Sequence, residues 1–81
     1  MRITVKAGGL FTRKLPGGEN PAEIALPEAA SVADALAALG IEAEVNALVS
    51  LNGTAVRPAE RAARHLAEGD RLALMPPLRG G

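Results

Sequence analysis

Ser31-Val32-Ala33-Asp34-Ala35-Leu36-Ala37-Ala38-Leu39-Gly40 is the stretch on which the reading of this 81-residue chain turns. Val32, Ala35, Leu36 and Leu39 fall at i, i+3, i+4 and i+7, one apolar stripe along a helix. The Ser31 hydroxyl is placed to cap the first turn. Asp34, three residues on, completes a capping-box-like pair at the positive helix end. Gly40 stands where a helix C-cap takes a left-handed residue. The spacing predicts one helix over residues 32–39.

On the N-terminal side the period changes from 3.6 to 2. In residues 1–7, Ile3 and Val5 point one way and Arg2, Thr4 and Lys6 the other, the pattern of a half-buried strand. Gly8-Gly9 reads as a turn, and residues 10–15 as a second extended stretch. Residues 16–21, Pro16-Gly17-Gly18-Glu19-Asn20-Pro21, are loop by composition. Residues 23–26 alternate again, with Ile24 and Leu26 inward, and read as a returning strand.

On the C-terminal side, residues 47–51 form a short apolar run ending in the turn signal Asn52-Gly53. Val56 begins a partner strand that Pro58 stops. Residues 59–67 read as a helical turn or two anchored by Leu66. Glu68-Gly69-Asp70 is a turn, and residues 71–75 alternate Leu72 and Leu74 inward as a last strand. The expected architecture is α+β, with one main helix on a mixed sheet of four to five strands. Two strands and a helix followed by further strands suit a β-grasp, with the first and last strands adjacent and parallel.

Composition narrows the function. Eighty-one residues make one domain, and so short a chain buries only about 60–65% of its unfolded surface. Hydrophobic residues are 48% of the chain, yet Phe11 is its only aromatic, so the core is aliphatic. There is no cysteine, which excludes disulfides, thiolate metal sites and an internal sulfur nucleophile. Nine basic residues balance nine acidic ones, which argues against a nucleic-acid partner. No apolar run approaches the roughly 20 residues of a membrane span and no signal-peptide pattern opens the chain. A cytoplasmic location is the default expectation.

No catalytic set stands out in the domain, and no metal site. His65 has no nucleophile marked out for it and reads as a surface residue beside Leu66. Glu42, Glu44, Glu68 and Asp70 flank turns and read as solvated. Gly8-Gly9 and Gly17-Gly18 lack the Gly-Lys-Ser/Thr ending of a phosphate loop. Arg57, Arg61 and Arg64 share a face if residues 59–67 are helical; a solvated face with Glu60 pairing to Arg64 is the simplest reading.

Pro76-Pro77-Leu78-Arg79-Gly80-Gly81 differs in kind. Two prolines forbid continued sheet pairing and stiffen the exit. Residues 1–75 are thus expected to form the domain and residues 76–81 a flexible tail. From Met75 six residues span roughly 20 Å at about 3.3–3.6 Å each, enough to enter another protein's active site. Gly80 and Gly81 lack Cβ atoms, so the backbone can pass a narrow channel and present an open carboxyl group. A terminal carboxylate is ionised at neutral pH and is a poor electrophile, so it needs activation, and adenylation by an ATP-using partner is the usual route.

The sequence resembles the MoaD/ThiS family of ubiquitin-like sulfur carriers. Ser31-Val32-Ala33-Asp34-Ala35-Leu36 is similar to that family's helix opening, and Leu48-Val49-Ser50-Leu51-Asn52-Gly53 to its strand and turn. Leu66-Ala67-Glu68-Gly69-Asp70-Arg71-Leu72 is similar to its L-x-x-G-D-x-V segment, and residues 76–81 to its Pro-Pro…Gly-Gly end. The resemblance implies a ubiquitin-like carrier rather than an enzyme, holding no cofactor of its own. An ATP- and Mg-dependent adenylyltransferase, similar to ubiquitin-activating enzymes, would adenylate Gly81, and a persulfide donor would convert the adenylate to a thiocarboxylate. Pro77, Leu78, Arg79 and Gly80 would thread into the partner. The molybdopterin synthase large subunit is the first expected acceptor, and thiamine thiazole biosynthesis the second. A protein modifier forming isopeptide bonds and an interaction module with an inert tail stand as alternatives; Leu-Arg-Gly-Gly also ends ubiquitin.

Overall fold

Arg2–Ala7 forms β1, with Ile3, Val5 and Ala7 buried and Arg2 and Lys6 exposed. Ala22–Ala25 forms β2, antiparallel to it with Ile3 opposite Ile24. The helix α1 spans Val32–Ala38, followed by β3 (Leu48–Leu51), β4 (Thr54–Ala55) and β5 (Arg71–Met75). These are the elements of a computed structural model that describes residues 1–77. The sheet order is β2-β1-β5-β3-β4. The sheet is mixed: β1 and β5 run parallel at its centre, with Val5 opposite Leu72 and Ala7 opposite Leu74, and the other pairs are antiparallel. This is the expected β-grasp. Among the described residues no helix is long and apolar enough to cross a membrane.

The core is aliphatic for the reason the composition gives. Val32, Ala35 and Leu36 of α1 join Ile3, Val5, Val49, Leu51, Leu72 and Leu74 of the sheet's inner face in one buried cluster. Alternation places the partners of these residues (Thr4, Lys6, Ser50, Arg71, Ala73) on the opposite, outer face. The predicted capping box is closed at both ends. Ser31 Oγ accepts from the Asp34 amide at 3.1 Å, and Asp34 Oδ2 accepts from the Ser31 amide at 2.9 Å. Asn52 (φ 51°) and Gly53 (φ 85°) both adopt left-handed backbone, the conformation a tight two-residue hairpin needs between β3 and β4.

Several expectations are corrected. Residues 10–15 are not a strand: Gly9–Lys14 forms 3-10 turns, and Leu10 is 75% exposed. Gly9 turns the chain out of β1 with φ 58°, and the Thr12 hydroxyl donates to the Gly9 carbonyl at 2.9 Å, so local bonds replace ladder bonds. The strand opposite β3 ends at Ala55, although the Val56 amide still donates to the Val49 carbonyl.

Arg61 is not on a solvated face. It is 1% exposed, its Nη1 donating to the carbonyls of Ala43 and Val45 at 2.8 Å and its Nη2 to that of Ala47 at 2.9 Å. The connection between α1 and β3 has no ladder partner for these carbonyls, and Arg61 satisfies them. Glu60 accepts from the Arg57 amide rather than pairing with Arg64. Glu68 and Asp70 also do more than face water. Glu68 accepts from the Arg2 amide, and Asp70 from the Ala67 amide and the Asn52 side chain.

Candidate functional site: the root of the C-terminal segment

β5 delivers the C-terminal segment from the middle of the sheet. On one side Met75 lies opposite Leu48 of β3, and on the other the Gly8 amide donates to the Leu74 carbonyl at 2.9 Å. Pro76 and Pro77 have no N–H to offer either neighbour, so the ladder stops there. Of the residues assigned to partner threading, Pro77 is half-buried just past the strand. Leu78, Arg79, Gly80 and Gly81 lie outside the described residues.

The root is held more closely than the sequence reading foresaw. A Cβ on Gly9 would stand 2.5 Å from Pro76 Cγ, and one on Gly8 would stand 2.7 Å from Met75 Sδ and 3.6 Å from Pro76 Cδ. The Pro76 ring therefore lies on bare backbone at the end of β1. That stretch is itself pinned. The Asn20 side chain accepts from the Ala7 amide at 3.1 Å and donates to the Ala7 carbonyl at 2.7 Å, standing in for a strand residue. The signal for this contact was present: parallel pairing of β1 with β5 carries Gly8-Gly9 alongside Met75-Pro76.

The outer sheet face is open along the first half of β5. A shallow hollow of about 750 Å3 is lined by Thr4, Lys6, Ser50, Asn52 and Arg71 among others, and Leu48, 50% exposed, lies next to Met75. Thr4, Ser50 and Asn52 have no imidazole or carboxylate base among the hollow's lining residues. Among the described residues no three His, Asp or Glu side chains come together as a metal site. His65 is exposed and its Nδ1 donates to the Ala29 carbonyl at 2.9 Å, a contact that braces the loop before α1.

Comparison with known proteins bears on this geometry. The crystal structure of SAMP1, small archaeal modifier protein 1, from Haloferax volcanii superposes with a TM-score of 0.73 at 26% identity, each chain covered in full. A putative molybdopterin converting factor subunit 1 from Pyrococcus furiosus gives 0.74 at 22% identity, covering 96% of this chain and 99% of that one. Subunits 1 and 2 of the molybdopterin-converting factor from Helicobacter pylori form a complex with a matching chain, at 0.64 and 20% identity over the full length of both. No protein of curated function matches the sequence. The family model described as ThiS family matches residues 11–81. The chain belongs to the ThiS family, the MoaD/ThiS group of ubiquitin-fold sulfur carriers.

Proposed function

We propose that this protein carries sulfur as a thiocarboxylate on Gly81 and is itself a substrate, not a catalyst. In this reading a carboxylate oxygen of Gly81 attacks the α-phosphorus of ATP, held with Mg by the activating enzyme, and pyrophosphate leaves. A persulfide sulfur then displaces AMP, and a thiol reduces the resulting acyl disulfide to leave the thiocarboxylate. With no cysteine in the chain, every sulfur atom it carries beyond its two methionines comes from outside. The observation that supports this reading best is the root geometry. A central strand ends at two prolines, and a family match continues through Gly81.

The molybdopterin synthase large subunit is the proposed acceptor. The Helicobacter pylori complex of two converting-factor subunits supports a partner of that kind. Thiamine thiazole synthesis is the second pathway, in keeping with the family that matches. Conjugation to protein lysines is a further reading, favoured by the likeness to SAMP1 and by the Leu78-Arg79-Gly80-Gly81 ending. A cytoplasmic site of action goes with these partners.

Incubation with an activating enzyme, ATP, Mg and a persulfide donor tests the carrier role. Intact mass is expected to show one oxygen exchanged for sulfur, and deletion of Gly81 is expected to abolish the exchange. A wild-type chain that stays unmodified overturns the reading. Transfer of the sulfur to a molybdopterin precursor, to a thiazole precursor, or formation of lysine conjugates then separates the three destinations.

A further inference from the structure

We infer that Gly8-Gly9 is an aiming saddle: by leaving room for the Pro76 ring it sets the direction in which the C-terminal segment leaves the domain, so Gly9 is a positioning residue for activation of Gly81. The inference rests on the carrier reading above. Three observations carry it. The approach is too close for any side chain, 2.5 Å from a Gly9 Cβ to Pro76 Cγ. The saddle cannot retreat, because the Gly8 amide is bonded to the Leu74 carbonyl and the Asn20 side chain clamps both polar groups of Ala7. The seated residue is a proline, whose ring holds φ near −65°, and the proline that follows confines its ψ to the extended range, so seating the ring narrows the path of the chain into Pro77.

The saddle moves the last held point of the chain outward. Reckoned from Met75, the six residues to Gly81 span roughly 20 Å, but reckoned from Pro77 the four residues to Gly81 span at most about 13–14 Å. An arm that short reaches a buried adenylation centre only from a narrow range of starting directions. The direction of the root therefore acts on placement of the carboxylate, and not on how well the domain docks.

The test is the steady-state rate of adenylation by the activating enzyme, with this protein as the varied substrate. Gly9→Ala is expected to lower kcat on the order of 10- to 100-fold, the effect of misplacing a reacting group by about 1 Å. Loss of folded protein alone would instead raise the apparent KM and leave kcat unchanged. Gly9→Ala/Pro76→Ala removes the Cγ that is struck and is expected to return kcat to that of Pro76→Ala alone. Backbone strain at φ 58° is untouched by that second change, so rescue assigns the effect to the contact. Gly9→Asn tolerates left-handed backbone and carries the same Cβ, and it repeats the experiment if the alanine variant folds poorly. Gly8→Ala meets only the flexible end of Met75 at close range and is expected to change kcat less than two-fold. An unchanged kcat in the Gly9 variants, or a double variant no better than Gly9→Ala, overturns the saddle while leaving the carrier reading intact. A wild-type chain that is never adenylated overturns the carrier reading instead, and the inference with it.

Discussion

Arg61 Nη2 donates to the carbonyl of Ala47 at 2.9 Å, one residue before β3 begins. The same guanidinium also takes the carbonyls of Ala43 and Val45, so one side chain organises the whole approach to the strand that lies beside Met75. Its Nε is buried without a partner, and no ion pair reaches it among the described residues. Its binding is to dipoles rather than to an opposite charge. Arg61→Met would leave three carbonyls unsatisfied, and the expected loss is about 3 kcal/mol. For a domain of this size that is a fall in Tm of roughly 12–24 °C by calorimetry. Arg61→Lys keeps a charge but not the fork, and is expected to fall between the two. The loss should be nearly independent of salt, because screening acts weakly on buried contacts.

Asn52 joins the β3–β4 turn to the start of β5. Its backbone is left-handed, its Oδ1 accepts from the Arg71 amide at 2.9 Å, and its Nδ2 donates to Asp70 Oδ1 at 3.0 Å. Asn52→Ala removes both side-chain bonds and places a Cβ-bearing residue with no compensating bond in left-handed backbone. The expected cost is about 1–2 kcal/mol by urea unfolding. Asn52→Gly loses the same bonds but relaxes the backbone, and should cost less. Equal losses in the two variants would show that backbone conformation contributes nothing here.

Leu78 is proposed as an apolar anchor in the partner's groove. Leu78→Asp is then expected to weaken binding to the activating enzyme at least about ten-fold, in line with a buried contact residue, while Tm stays within the error of measurement. Parallel loss of binding and of thermal stability would instead place Leu78 against its own domain.

Much of the fold is legible from periodicity. Val32, Ala35 and Leu36 announced α1, Ile3 and Val5 announced β1, and Asn52-Gly53 announced the hairpin, because in each case local preference and burial agree. Residues 10–15 were misread because two apolar residues, Leu10 and Phe11, suggest a strand where Gly9 and Thr12 close local turns. Arg61 could not be told from Arg57 and Arg64 by spacing. Its role depends on carbonyls 14–18 residues earlier in the chain, which no local pattern reports. Glu68 was missed for the same reason, since the Arg2 amide lies 66 residues away, and so was the bond of Asp70 to Asn52. The bond of Asp70 to the Ala67 amide is local, three residues apart, and was open to a sequence reading. For the proposed site, the end of β5 before Pro76-Pro77 was legible, and residues 78–81 lie outside the described residues. The packing of Pro76 on Gly9 required the parallel register of β1 and β5.

That register also bears on how the molecule is made. The central pair joins Thr4 to Arg71 and Ala7 to Leu74, the beginning of the sequence to nearly its end. A ribosome that has produced only β1, β2, α1 and the β3–β4 hairpin has produced two halves with no strand between them. The globule closes only after Arg71–Met75 has been synthesised, a slow, non-local step for so small a domain. An unfinished chain therefore has no closed sheet, since the strand that joins its two halves is the last to be made.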